Sequence, residues 1–415
     1  MKKLKRIGLV FFFLLLWTAF IGYGFIDGFL LRPITNDKSP KSFLEASKEI
    51  IQNKSVGNLG FVLLENGRIA EEFYDSKGRA VDQNTMFPVA SISKWVASFG
   101  VMKLVQDQKI DLDAPVEQYL TRWHLPESEF DNSGVTVRRL LSHSAGLVDD
   151  LGYAGFETKD SVQTLEASLT KAKDGPYSEG VARVGYQPGS QYMYSGASYA
   201  LLQLLIEEVS GQSFQEYMKN EVFKPLGMTN SVFERQDPNN PRVAEVFQVD
   251  GSTRSMNWFT ALAAAGLYTS TGDLSKFLAA HVNENPVLSK QTIAKMSEAN
   301  SFINTIGIYG LGPHLYSQNK TNSLIIGHDG SGNDAINTAA RIDLMSKSGI
   351  IFLETGNWNL ASSIADEWLF WKAGIADYVV MQRNKSFLLS ILGIGYLLII
   401  LASVFIIKRR KQAPN

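Results

Sequence analysis

Ser91-Ile92-Ser93-Lys94 sets a hydroxyl and an amine three residues apart; Tyr194-Ser195-Gly196 follows much later, and Gly327-His328-Asp329-Gly330 lies towards the end of the chain. A serine hydroxyl is a weak nucleophile near neutral pH and needs a neighbouring base to take its proton. On a helix, residues at this spacing share a face one turn apart, which brings the Lys94 amine to the Ser91 oxygen. The segments therefore supply a nucleophile, a base, a phenol and a strand able to hold an oxyanion. That combination implies acyl transfer through a serine ester.

Positioning these groups requires particular elements. In Phe87-Pro88-Val89-Ala90 the proline disfavours helix at the residue before it, which predicts a helix start near Ala90 with Ser91 at its N-terminus. The free N–H groups there favour negative charge, so the Ser91 amide can help hold the oxyanion. A lysine base must shed its charge, and lowering its pKa from about 10.4 to about 7 or 8 takes roughly 3 to 5 kcal/mol. Burial can supply that: Trp95 to Val105 is apolar around nearly its whole circumference, as in a core helix. Ser-x-x-Lys recurs at Ser168–Lys171 and Ser317–Lys320, in polar stretches without such a helix behind them. Taken singly, each residue also has a plainer reading: Ser91 a helix cap, Lys94 a solvated cation, Tyr194 a packed aromatic, His328 a turn or core histidine.

The order and wording around these residues resemble the serine β-lactamase and penicillin-binding-protein-like hydrolases. The branch is that of class C β-lactamases, D-aminopeptidases, D-Ala-D-Ala carboxypeptidases and β-lactamase-like esterases. The likeness runs from about Asn58 to Gly374 and rests on Phe87 to Lys94, Asp111 to Val116, Val135 to Leu147, Gln187-Pro188-Gly189, the Tyr194 segment, Pro225 to Thr229, Ala265 to Leu274 and Gly327 to Gly330. It implies Ser91 as the acylated nucleophile, Lys94 as its proton acceptor and Tyr194 as the second acid/base. His328-Asp329-Gly330 matches the third motif, a strand beside the nucleophile, and the Ser331 N–H would be the second oxyanion donor. Gly330 and Gly196 would border the substrate with them. Two positions depart from the pattern. Gly196 stands where the second motif normally carries Asn, and His328 where the third often carries Lys. A histidine with a pKa of about 6.5 is mostly neutral at pH 7, so His328 is expected to gain charge, and with it a preference for anionic substrates, as pH falls. Both changes weaken the expectation of β-lactam hydrolysis and leave ester, amide or D-amino-acid peptide substrates.

The chain has 415 residues, 45% of them hydrophobic, which suffices for a large core. A formal net charge of -1 offers nucleic acid no electrostatic attraction, and Cys 0 excludes disulfides and cysteine sites. No cofactor is expected, and no His-Glu-x-x-His pair points to a metal. His143, in Leu141-Ser142-His143-Ser144, reads as a helix-terminating turn near the site. Lys2, Lys3, Lys5 and Arg6 precede an apolar run from Ile7 to Ile26; a second run, Phe387 to Ile407, precedes Lys408 to Lys411. Each is long enough to span a bilayer, and the positive-inside tendency sets both basic clusters in the cytoplasm and the intervening domain outside. Gly22-Tyr23-Gly24 offers a weak cleavage site for the first run.

The expected division is 1–31 as a membrane or signal-anchor segment, 42–376 as the hydrolase domain, 387–407 as a membrane helix and 408–415 as a basic tail. Gly60 to Tyr74 reads as a hairpin with an Asn66-Gly67 turn, its partner strands coming from Ala335 to Asp343 and Ile350 to Glu354. Helices at Ser198 to Val209 and Phe214 to Phe223 lie between, and Asp149 to Ser178 and Asn300 to Asn322 read as pocket-lining loops. The expected fold is thus α+β, an α/β sandwich: an antiparallel sheet of N- and C-terminal strands flanked by helices, with an inserted, mainly helical region. The expected partner is a small-molecule or peptide substrate, cell-wall fragments among the candidates; the sequence leaves the oligomeric state open. A competing class is a catalytically silent binding, sensor or scaffold protein on the same fold, for which Gly196 and the double anchoring speak. Against it stands the joint presence of Ser91, Lys94, Tyr194 and His328.

Overall fold

The computed structural model describes residues 2–148, 154–174, 180–316, 323–332 and 335–412. They fall into two compact units, the chain ends (Met1–Ala46 with Asp366–Asn415) and the middle (Ser47–Ala365). In the first unit, α1 (Lys2–Asp27) packs along the terminal helix Tyr378–Gln412. The Trp17 indole donates to the Leu392 carbonyl at 3.3 Å, the Thr18 and Tyr396 hydroxyls lie 2.5 Å apart, and Arg383 pairs with Glu367. Ile7–Asp27 and Tyr378–Arg409 are long and apolar enough to cross a membrane. A further helix, α2 (Pro40–Lys54), leads towards the first strand.

In the middle unit, Asn66 and Gly67 take φ of 53° and 69°, the left-handed pair that a tight hairpin turn requires, and join β1 (Leu59–Glu65) to β2 (Arg68–Asp75). Four two-residue strands follow: β3 (Phe87–Pro88), β4 (Val246–Phe247), β5 (Thr253–Arg254) and β6 (Tyr268–Thr269). After them come β7 (Ser301–Ile303), β8 (Ile306–Tyr309), β9 (His314–Leu315), β10 (Ile325–Gly332), β11 (Ile336–Asp343) and β12 (Ser348–Thr355). One sheet runs β2-β1-β12-β11-β10-β9-β8-β7, antiparallel at every pairing. Central strands β11 and β12 are buried along their whole length, because helices cover the sheet. Between the early and late strands lies the helical insertion, with α3 (Ile92–Gln106), α4 (Val137–Leu141), α5 (Leu165–Thr170) and α6 (Gly196–Ser210). Val62, Leu64, Ile326, Ile342, Ile351 and Leu353 from the sheet share one core with α3 and α6. The expected α+β sandwich is borne out.

Local details differ from the sequence reading. The first helical residue of α3 is Ile92 rather than Ala90, because Ala90 adopts φ 45° and turns the chain before the helix begins. The stretch from Asn300 is not a loop: β7, β8 and β9 extend the sheet there, and 317–322 lie outside the described residues. Of Asp149 to Ser178, the described part carries α5, with 149–153 and 175–178 outside. Ser168 sits buried within α5, and the Ser317–Lys320 copy of Ser-x-x-Lys lies outside the described residues. The helix from Phe214 does not stop before Pro225; a π-helical stretch, Lys219–Phe223, widens it and Lys224–Leu226 continues to Gly227 at φ 69°.

Candidate active site

The turn that carries Ser91 is held from several sides. β3 pairs with β6, so the Val89 N–H donates to the Leu267 carbonyl at 3.1 Å and the Leu267 N–H to Ser93 Oγ at 3.0 Å. From the sheet, the Thr338 hydroxyl donates to the Val89 carbonyl at 3.0 Å. These bonds hold Ala90 at a φ that costs an L-residue about 1 to 2 kcal/mol. They also leave Ser91 part-exposed at the head of a buried helix. One turn on, Lys94 is 1% exposed; its Nζ lies 3.2 Å from Ser91 Oγ and donates to the Ala264 carbonyl at 2.9 Å.

Tyr194 covers that amine, with Lys94 Nζ 4.8 Å from its ring centroid. Tyr194 belongs to a cluster of rings drawn from distant segments. His143 lies 4.4 Å away, His328 6.2 Å and His314 6.4 Å, centroid to centroid. Burial pushes the phenols of Tyr192, Tyr199 and Tyr309 upwards, so all three stay protonated at neutral pH.

Ser91, Lys94 and Tyr194 open into a cleft of about 570 Å³, whose wall includes His328, Asp329, Gly330 and Ser331 from β10 and the apolar Met256, Phe259 and Ile336. Gly330 is required there: a Cβ would fall 2.2 Å from the Val89 carbonyl oxygen and 2.3 Å from Thr338 Oγ1. Only a strand without a side chain at that point can press against the Ser91 turn. Gly196 opens α6 as a buried residue and is not on the cleft wall.

His328 corrects an expectation. Its Nδ1 lies 2.6 Å from the Asp329 carbonyl, which can only accept, so Nδ1 carries the proton. Its Nε2, 3.0 Å from the Tyr309 hydroxyl, accepts from it. The ring is 1% exposed, and burial first, then His314 and Lys94, hold its pKa well below the ordinary value. His328 therefore remains neutral on acidification to pH 6 and cannot act as the anticipated charge switch. His314, absent from the sequence reading, is a part-exposed histidine of the cleft; burial, opposed by Asp329 and aided by Arg341 and Lys94, lowers it to about 4. Tyr192, Tyr309 and His314 were not foreseen. The available signal was that three of five histidines, His143, His314 and His328, lie beside a tyrosine one or two residues away or in a family motif. No cluster of His, Asp and Glu among the described residues could hold a metal ion.

Fold and cleft together have the build of a serine hydrolase of the β-lactamase type. The chain belongs to the Beta-lactamase family, whose model matches residues 48–371. The provisionally named penicillin-binding protein PbpX of Bacillus subtilis (strain 168) is 26% identical over 66% of this chain and 68% of its own length. Protein flp of Staphylococcus aureus (strain NCTC 8325 / PS 47) is 24% identical over 60% of this chain, which spans only 50% of that protein. Among solved structures, the octameric penicillin-binding protein homologue from Pyrococcus abyssi superposes with a TM-score of 0.65 at 26% identity, over 80% of this chain and 76% of that one. The D-amino acid amidase from Ochrobactrum anthropi SV3 superposes with a TM-score of 0.64 over 80% of this chain and 98% of its own, a likeness of fold at 20% identity.

Proposed function

We propose that this protein is a membrane-anchored serine hydrolase that cleaves an ester, amide or D-amino-acid peptide through an acyl-enzyme on Ser91. The observation that carries this is the buried Lys94 Nζ at 3.2 Å from Ser91 Oγ. Enclosure disfavours an ammonium relative to a free amine, and a free amine is what can take the hydroxyl proton. As Ser91 Oγ bonds the substrate carbonyl carbon, its proton passes to Lys94 Nζ. The carbonyl oxygen becomes an oxyanion facing the Ser91 and Ser331 N–H groups. Collapse breaks the bond to the leaving group, which takes a proton from the Tyr194 hydroxyl; Tyr194 is restored from Lys94. Water then repeats the sequence on the ester and frees the acid. His328 and Gly330 shape the wall beside this path, the former as a neutral ring.

Residues 42–376 form the hydrolase domain in this reading, with 1–31 and 387–407 as its membrane segments, 408–415 as a cytoplasmic tail and the domain outside the cell membrane. The charge clusters at both ends support that orientation. Fragments of the cell wall are candidate substrates. A panel of short-chain esters, D-amino-acid amides and a chromogenic cephalosporin tests the activity. The parent should turn over members of the first two groups and Ser91→Ala none; equal turnover by the variant would remove Ser91 from the reaction.

A further inference from the structure

We propose that His143 is a positioning residue for Tyr194, clamping the chain on both sides of the phenol; the inference rests on the acid/base role given to Tyr194 above. The His143 carbonyl accepts from the Met193 N–H at 2.8 Å, and its Nδ1 accepts from the Ser195 N–H at 3.0 Å. One residue thus binds the main chain immediately before and immediately after Tyr194, while its ring packs 4.4 Å from the Tyr194 ring.

Reaching both groups requires an unusual backbone. His143 takes φ 57°, left-handed for a residue with a side chain, at the turn that ends α4. The turn is itself fastened: the Ser144 carbonyl accepts from the Gly189 N–H at 2.7 Å and the Ser142 carbonyl from the Ser301 hydroxyl at 2.5 Å. The ring is 1% exposed, and its Nε2 has no hydrogen-bond partner among the described residues. Enclosing a ring nitrogen without a partner costs stability, so packing alone would be better served by an apolar side chain. What a histidine adds here is the acceptor at Nδ1. Tyr199 at 5.2 Å and Tyr309 at 4.8 Å complete the enclosure, centroid to centroid. Burial first, then Lys94 and His314, keep the imidazole neutral and Nδ1 free to accept.

Tyr194 matters most when the leaving group needs a proton. A p-nitrophenolate leaves without one, whereas an amine or alkoxide does not. His143→Leu should therefore lower kcat/KM, which reports the acylation step, on an amide or ethyl ester by about 10²-fold, the size of a lost acid/base contribution, and kcat/KM on the matching p-nitrophenyl ester by less than about threefold. Tyr194→Phe should give the same selective loss, and the double variant no more than Tyr194→Phe alone. His143→Asn, whose side-chain oxygen can replace Nδ1 and whose backbone tolerates this φ, should recover most of the amide activity. Equal losses on both leaving groups, full multiplication in the double variant, or no recovery with asparagine would each overturn the clamp. Labelling of Ser91 by a fluorophosphonate reports whether each variant folds. Should leucine prevent folding, His143→Ala carries the comparison, and parental selectivity in that variant also overturns the inference. If Tyr194→Phe itself shows no dependence on the leaving group, the acid/base role of Tyr194 fails and the clamp with it.

Discussion

At the scale of single residues, the chemistry depends on Lys94 being enclosed while Ser91 stays open. Lys94→Met keeps the apolar bulk and removes the base, so turnover should fall by about 10² to 10⁴-fold with little change in melting temperature. Lys94→Arg should be no better, since a guanidinium stays protonated. The Ser91/Lys94 pair was legible in the sequence because it is local, a spacing on one helix. The ring cluster was not, because it joins segments that only the fold brings together: His143 after α4, Tyr194 before α6, Tyr309 on β8, His314 on β9 and His328 on β10. The role first assigned to His328 failed for the same reason, since its partner Tyr309 lies on β8, two strands away across β9, in a stretch whose sequence reads as loop. With His328 held well below its ordinary value and His314 at about 4, both rings are neutral from pH 8 to pH 6. The ratio of kcat/KM for an anionic and a neutral ester should then stay constant across that range. A rising preference for the anion on acidification would restore the charge switch.

Among the elements, β10 and β11 control the nucleophile turn through Gly330 and Thr338. Gly330→Ala drives a methyl into the Val89 carbonyl, and overpacking of this kind costs about 1 to 3 kcal/mol. The variant should melt lower and lose turnover together, measured by thermal unfolding and ester hydrolysis; unchanged values for both would show that the strand does not press on the turn. The long strands were readable: Asn66-Gly67 marks a hairpin, and β12 carries the apolar run Ile350 to Leu353. Strands β7, β8 and β9 escaped because they are two to four residues long, too short for an alternating pattern. Nor did the pattern reveal Glu354, enclosed on β12 between Leu59 and Asn337 on the flanking strands. Burial pushes its carboxyl up to about 8 from 4.5. The folded chain then holds a proton that the unfolded chain releases, so stability is full below about pH 4.5 and declines as pH rises through 8. Glu354→Gln should flatten that decline and raise the melting temperature at pH 9; a parental slope in the variant would acquit Glu354.

For the whole molecule, two apolar helices close the chain at either end of a domain whose family was readable from its ordered motifs. Three of those motifs, around Ser91, Tyr194 and His328, meet in one cleft, whereas the cleft's apolar wall of Met256, Phe259 and Ile336 comes from positions with no motif at all. Reporters fused after Asn415 should be cytoplasmic and externally added protease should cut between Arg32 and Arg383; protection of that region in intact cells would reverse the orientation. The acyl-enzyme itself is the most direct object of measurement. The full chain in detergent, treated with a fluorophosphonate, should gain the mass of one phosphonyl group, mapped by peptide fragmentation to Ser91, and the gain should vanish in Ser91→Ala and slow severely in Lys94→Met. A modified residue other than Ser91, or no covalent gain while ester turnover continues, would contradict the serine-lysine mechanism.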